Sequence, residues 1–506
     1  MINTSKNKTI NEAYNFISEM NKVAYLDMFL LSNQVLSKNP FTNNFTRRFT
    51  NGEDAGQVST FNVASKLLFY YINSFKKFSL YLIEFLVYYL NPISFRVSSN
   101  QDELILIDTF FLLNKIKESN NFSDSYFPGL KDVLDKTNKV YAYLPIFVGS
   151  KKFLSLRRVL KIIKKQNIPT ICEYQLLSMR DLLHLFYFIV FYPFHVLGFA
   201  NGLSTKNYES SLLKSELMHT LDFVTFESFS RYLQGRKIAR LPCRNIKVIS
   251  WYENQVKDKN LYKGLKEYSS KVKIYGAQLF LYSNAILNII PDENEEVFGI
   301  IPHKIIVNGP VFIPEKTRIN YHVGPSLRYS KIFNAASSKR RSKENILTLL
   351  PIIKNDTENI LQMISRLKNC PCPVRVKLHP AVSFEEVKRL VPSNAVIVKD
   401  DIYDLFESAK IIIGSASGTL VEAASLGIPI IVIKNNHMPN YNILPEYGKG
   451  LIWEEASTVE ELTQNITKFE SLIYKNSAEV ASIANKYKEM FFCNPTEENI
   501  IKAFDL

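Results

Sequence analysis

Cysteine is scarce in this chain, five in 506 residues and an odd number. That sets aside a disulfide-stapled secreted fold and points to reduced thiols in a cytoplasmic setting. The "CPC" at 370–372 has no second Cys or His pair nearby, so no metal is expected there. The opening "MINTSKNKTINEAYNF" lacks the apolar core of a secretory signal, and the protein is expected to stay on the side of the membrane where it is made. Internal repeats, low-complexity tracts and recognised nucleic-acid motifs are all missing, so nucleic acid is not an expected partner. No aspartate pair of the DxD type stands where it would hold a divalent metal on a diphosphate. Negative charge is in short supply too: 48 Asp+Glu against 62 Lys+Arg leave +14. An anionic partner is the natural counterpart, whether a phosphorylated substrate or an acidic membrane surface.

What is present is globular. An apolar fraction of 46% with 22% charged residues supplies sizeable cores, and the length suits two or three domains. Two apolar stretches stand out. In 66–90, "KLLFYYINSFKKFSLYLIEFLVYYL", helical spacing puts Lys66, Asn73, Lys77 and Glu84 on one stripe and leaves the rest mostly apolar. The second, 183–200, "LHLFYFIVFYPFHVLGFA", approaches bilayer-spanning length but contains His184, His195 and Pro193. Buried core helices, a span, or helices on the inner membrane face all fit these patterns. The net positive charge leans towards peripheral attachment.

Residues 1–100 read as a helical amino-terminal extension. From 101 to 335 apolar runs and helical patterns alternate, with strands expected at 103–110, 139–149, 168–174, 246–252, 271–276 and 304–310. The small, basic "NAASSKRRSKEN" (334–345) reads as a linker. A more regular alternation fills 336–484, with strands at 346–351, 374–379, 395–398, 411–414, 428–433 and 451–453, and a carboxy-terminal helix is expected over 485–506. The expected fold is α/β: two Rossmann-like domains facing across a cleft.

The stretch "GSASGTLVEAASLGIPIIVI" (414–433) carries the most chemistry. It runs from a strand end through a small, hydroxyl-rich loop into a helix. Ligands of an open parallel sheet bind beyond the carboxyl ends of its strands, and a helix N-terminus there offers free N–H groups to an anion. Ser415, Ser417 and Thr419 would add hydroxyl donors, Gly418 would let backbone approach a phosphate, and Glu422 would accept from a ribose diol. The plain alternative is a capping box of Thr419 with Glu422. "VRVKLHP" (374–380) ends an earlier strand of the same sheet. His379 there would bond a phosphate or offset leaving-group charge, with Pro380 fixing its backbone.

An "HP" after one strand and "SxSGTxxEAAxxGIP" after a later one resemble the GT-B glycosyltransferases of bacterial surface-polysaccharide biosynthesis. The nearest likeness is to those using CMP-activated acidic sugars, the sialyl-, Kdo- and nonulosonate transferases. The resemblance covers about 346–433, and more faintly 246–330 through "SWYENQ", "IVNGP" and "VGPSLRY". It implies an inverting, metal-independent transferase without a cofactor, moving a sugar from a CMP-linked donor to a glycan or glycolipid acceptor. It assigns phosphate binding to His379, Ser415, Ser417 and Thr419. The acidic D/E-D/E-G motif of the sialyltransferases has no counterpart in place, "GEDAG" (52–56) lying in the wrong region. A catalytic base from the first domain is still needed. Glu253 follows a strand there among Trp251, Tyr252, Asn254 and Gln255, a set suited to stacking and bonding a sugar; His303 and His322 are the alternatives. CDP-glycerol polymerases share the "HP" element. UDP-sugar 2-epimerases carry an SDSGG loop followed by paired glutamates, whereas here Ala416 takes the aspartate's place and Ala423 follows Glu422. A non-catalytic membrane-bound scaffold of the same fold is the remaining reading.

Overall fold

The computed structural model describes the whole chain except residues 1–8, 55–59, 94, 99–100, 335–343, 368–371, 380–381, 416, 435–440 and 476. Two six-stranded parallel sheets organise it. The first contains β1 (Glu103–Leu112), β2 (Tyr141–Val148), β3 (Asn245–Trp251), β4 (Val272–Gln278), β5 (Lys304–Val307) and β6 (Tyr321–Val323), ordered β2-β1-β3-β4-β5-β6. The second contains β7 (Asn345–Leu349), β8 (Val374–Lys377), β9 (Ala395–Val398), β10 (Ala409–Gly414), β11 (Ile430–Ile433) and β12 (Trp453–Ala456), ordered β9-β8-β7-β10-β11-β12. That second order, 3-2-1-4-5-6 within its domain, is the doubly wound arrangement, with its switch point between β7 and β10. Its three central strands are short apolar runs because helices cover both faces of a parallel sheet; every residue of β7 and β11 is buried.

The first sheet follows the same plan, with its switch point between β1 and β3. The strand expected at 168–174 survives as a single bridge from Thr170 to Tyr143, beside β2. Pro169 lies next to that bridge and cannot donate to a ladder, and a short helix begins at Glu173. The fold is therefore two Rossmann-like domains. A continuous apolar cluster joins them, including Val248 and Ile274 from the first sheet and Leu347 and Ile412 from the second. The expected linker falls largely on 335–343, outside the described residues.

Behind the first sheet, helices Phe226–Ile238 and Val256–Tyr268 touch backbone to backbone. A Cβ on Gly264 would fall against the Tyr232 carbonyl oxygen, and one on Gly235 would lie 2.5 Å from the Leu261 oxygen. Glycine is required at both positions for packing rather than for a turn.

The amino-terminal segment is part of the first domain's core. Lys38 pairs with Asp292 (3.1 Å) and Glu295 (3.3 Å), and Lys259 reaches Glu295 at 2.6 Å and the Tyr25 hydroxyl at 3.0 Å. The carboxy-terminal helix expected over 485–506 is two helices, Ser477–Phe491 and Glu497–Phe504. The break follows from Pro495 in the "NPTEEN" turn, where Thr496 caps the last helix through the Asn499 N–H. That helix returns to the first domain: Tyr275 donates to Asp505 Oδ2 at 2.8 Å, and Lys304 lies 3.2 Å from Oδ1.

Candidate functional site

In the second domain, β10 ends at Gly414 and the helix Gly418–Ser425 begins at the switch point. Ser417 is the N-cap, accepting from the Thr419 N–H at 3.3 Å. This moves the expected cap by two residues, so Thr419 and Glu422 do not form a capping box. Gly427, in the left-handed region at φ +70°, ends the helix: its N–H donates to Ala424 and that of Ile428 to Ala423. This pairing explains "SLGIP", since glycine takes the left-handed turn without strain and Pro429 then stops any helical continuation.

Ser415 is buried, and its Oγ finds no hydrogen-bond partner among the described residues. A buried hydroxyl left unpaired costs roughly 1–3 kcal/mol, which a ligand atom arriving at this strand end would recover. Gly418 is small for a reason other than the expected one. A Cβ on it would sit 2.8 Å from Leu281 Cβ, so the loop after β4 occupies that space. Glu422 is turned inward, where Tyr403 donates to Oε2 at 2.6 Å. Burial pushes its carboxyl up to about 7, against opposing contributions from Tyr403 and Arg328. It therefore faces Tyr403.

His379 follows β8, two strands from β10, and is part-buried. Its carbonyl accepts from the Val382 N–H at 2.9 Å, which shapes the turn. Burial lowers the pKa of its imidazole, favouring a neutral ring that donates one N–H. Pro380 lies outside the described residues.

In the first domain, Glu253 follows β3 beside the switch point. Trp251 Nε1 donates to its Oε1 at 2.9 Å and Gln255 Nε2 to its Oε2 at 2.6 Å. Burial raises its pKa, opposed by these two donors and by Arg328. Asp258 accepts from the Glu253 and Gln255 N–H groups, and its carboxyl is pushed up to about 7, chiefly by burial. The expected sugar platform is absent: Trp251, Tyr252 and Asn254 are all buried. Asn254 sits at φ +52° and donates to Asn288 O and Glu295. The two histidines lie away from the switch point. His303 precedes β5 at the amino end of the sheet and its Nδ1 accepts from the Ile274 N–H; burial lowers its pKa to about 4. His322 is on the exposed edge strand β6, bonded to Asn320.

Two features escaped sequence reasoning. Arg328 lies over the Trp251 and Tyr126 rings, at 5.5 and 5.7 Å. Its charge acts on Glu253 in one domain and Glu422 in the other, so it stands where the two sheet ends face each other. Only the fragment "VGPSLRY" hinted at it. The second is a cavity of about 260 Å³ at the carboxyl end of β2, lined by Tyr81, Phe147, Lys151, Glu173, Arg231 and Lys257, among others. Tyr81 and Gln234 both donate to Glu173, at 2.7 and 3.0 Å. Lys77 lies 2.9 Å and Lys257 3.9 Å from Glu227. Such a mixed lining offers donors and acceptors to a polyhydroxyl or charged ligand. The chain signal was Gly149 and Lys151 following a strand end.

No family model matches the chain, and no curated protein matches its sequence. Among solved structures it is similar to MurG of Acinetobacter baumannii, at 12% identity over 80% of this chain and 100% of that one, with a TM-score of 0.42. A glycosyltransferase from Rickettsia africae aligns at 12% identity over 80% and 98%, with a TM-score of 0.45. The UDP-GlcNAc 2-epimerase of Neisseria meningitidis, whose structure is bound to UDP-GlcNAc, aligns at 11% over 80% and 99%, with a TM-score of 0.43.

Proposed function

We propose that this protein is a glycosyltransferase that uses a nucleotide-linked donor, a CMP-activated acidic sugar, and a glycan or lipid-linked acceptor. The reading rests on one observation: the Ser415 hydroxyl at the head of β10 is buried and unsatisfied beside the N-terminus of the Gly418–Ser425 helix, with Arg328 near enough for its charge to act on both Glu253 and Glu422. The donor phosphate takes the Ser415–Thr419 loop, with His379 donating from the side. The acceptor enters at the head of the first sheet, where the cavity beside Tyr81 opens. The acceptor oxygen attacks the anomeric carbon from the face opposite the leaving group. Its proton passes to Glu253, which burial makes a stronger base than an exposed carboxylate. The anomeric C–O bond breaks with its electron pair going to the nucleotide phosphate. Arg328 and the helix N-terminus offset the charge that develops there.

The test is a thermal-midpoint panel with CMP, CDP and UDP. A nucleotide at about 100 times its dissociation constant adds roughly 2.7 kcal/mol. CMP is expected to raise the midpoint most, and Ser417→Ala and His379→Ala are expected to weaken it tens-fold, each removing a bond to a charged group worth roughly 1.5–3 kcal/mol. If no nucleotide shifts the midpoint, the loop is a structural cap and the chain a scaffold. A shift by UDP alone refutes the CMP assignment.

A further inference from the structure

The Thr60–Leu90 helix is amphipathic in reverse. Its polar stripe points into the protein: Lys66 pairs with Asp222 (3.0 Å), Lys77 with Glu227 (2.9 Å), and Glu84 meets Lys151 (3.3 Å) and the Tyr174 hydroxyl (2.7 Å). Its outer face is left apolar, with Leu80 52%, Ile83 44% and Leu86 55% exposed. The Met179–Gly202 helix packs alongside through Phe75 and Phe186 (5.8 Å), with Tyr71 donating to the Val190 carbonyl. It too exposes apolar side chains, among them Leu183 69%, Tyr187 54% and Phe194 58%. Its opposite face is buried in the protein through Leu185, Phe188, Ile189 and Val196, so it does not stand free to cross a bilayer. It is nevertheless the one described helix long and apolar enough for that by composition.

The acids that meet this face from other elements are paired: Asp27 with His195, Asp222 with Lys66 and Glu227 with Lys77. The only acids of the two helices, Glu84 and Asp181, are buried and paired. The Phe153–Lys165 helix, packed against Thr60–Leu90, contains no acid at all and exposes Leu154 (74%) with Arg157, Lys161 and Lys164. An apolar band bordered by cations, with its neighbouring carboxylates paired, is complementary to anionic headgroups above acyl chains. A second copy of this chain would bring like charges together.

We infer that the Thr60–Leu90 and Met179–Gly202 helices form one face that lies in the surface of an anionic bilayer, with the Phe153–Lys165 helix supplying the headgroup contacts. Tyr81, on the inner side of the same helix, lines the cavity at the end of β2, so that cavity stands beside the membrane plane.

Flotation of the full chain tests this with phosphatidylcholine vesicles, with and without phosphatidylglycerol. Strong binding to the anionic vesicles is expected. Arg157→Gln with Lys161→Gln should weaken it on the order of 30-fold, about fivefold per charge. Leu183→Glu with Leu86→Glu, both at exposed sites and checked by circular dichroism, should abolish it. No flotation with anionic vesicles at low salt overturns the proposal, as does flotation indifferent to both pairs of substitutions. So does a stable dimer that Leu183→Glu dissociates in a chain that ignores vesicles. None of these outcomes depends on a nucleotide, so the transferase reading stands or falls separately.

Discussion

Replacing Glu422 by Gln isolates a buried carboxyl whose ionisation the fold resists. The glutamine keeps the size of the side chain and an acceptor for the Tyr403 hydroxyl, now 2.6 Å from Oε2. The native carboxyl rises from an ordinary 4.5 to about 7, burial being the chief cause. A raised acid means that the folded state holds its proton more tightly than the unfolded chain does. Its stabilising contribution is therefore complete below about 4.5 and is lost as pH climbs through about 7. Some 2.5 pH units at 1.36 kcal/mol each give about 3 kcal/mol by pH 8. For a domain of the second one's size that corresponds to roughly 6–12 °C in the melting midpoint. Melting curves of both proteins from pH 5 to 8 make the comparison. The two should differ least at pH 5, the variant should melt progressively higher than the parent as pH rises to about 7, and the gap should level off beyond that. Parallel profiles across that range would show that Glu422 ionises freely, and the inward placement of its carboxylate would be wrong.

Glu253→Gln should saturate with donor normally and turn over about 10²–10⁴-fold more slowly in a transfer assay; near-normal turnover clears Glu253 of the base role. Gly264→Ala should lower the unfolding free energy in urea melts by at least roughly 1–3 kcal/mol, because the Tyr232 backbone cannot yield to a Cβ. Gly198→Ala, on a helix with nothing within 4 Å of the added Cβ, should be neutral or stabilising by up to about 1 kcal/mol.

The second domain was legible because parallel strands buried on both faces read as unbroken apolar runs: "ILTLL", "IIIG" and "IIVI" all fall within or across observed strands. β6 escaped notice because "YHV" is three residues long and largely exposed, with no run to detect. Glu253 was legible by position, just after the end of β3. Its neighbours were misread, because residue type does not tell which way a side chain turns: Trp251 and Tyr252 pack inward and Asn254 ties a loop to Glu295. The same ambiguity hid the reversal of the Thr60–Leu90 helix, whose stripe was visible but whose direction depended on Asp222, Glu227 and Lys151 elsewhere in the chain. Arg328 could be found only once the fold had carried its short segment between two domains.

The return of the last helix has a consequence for biosynthesis. Lys247 lies on β3 with its side chain buried, and the Asp505 carbonyl accepts from its ammonium group. Domains made first usually fold first as the chain leaves the ribosome. Here the first domain emerges with a buried cation on a central strand whose backbone partner, Asp505, lies 258 residues further along the chain. Until that segment has been made, the sheet holds the lysine against Glu103, 3.4 Å away, and the Tyr275 ring. Completion of the first domain thus waits on synthesis of the whole second one, and a chain broken off before the Glu497–Phe504 helix is left with an unfinished first domain rather than merely a missing tail.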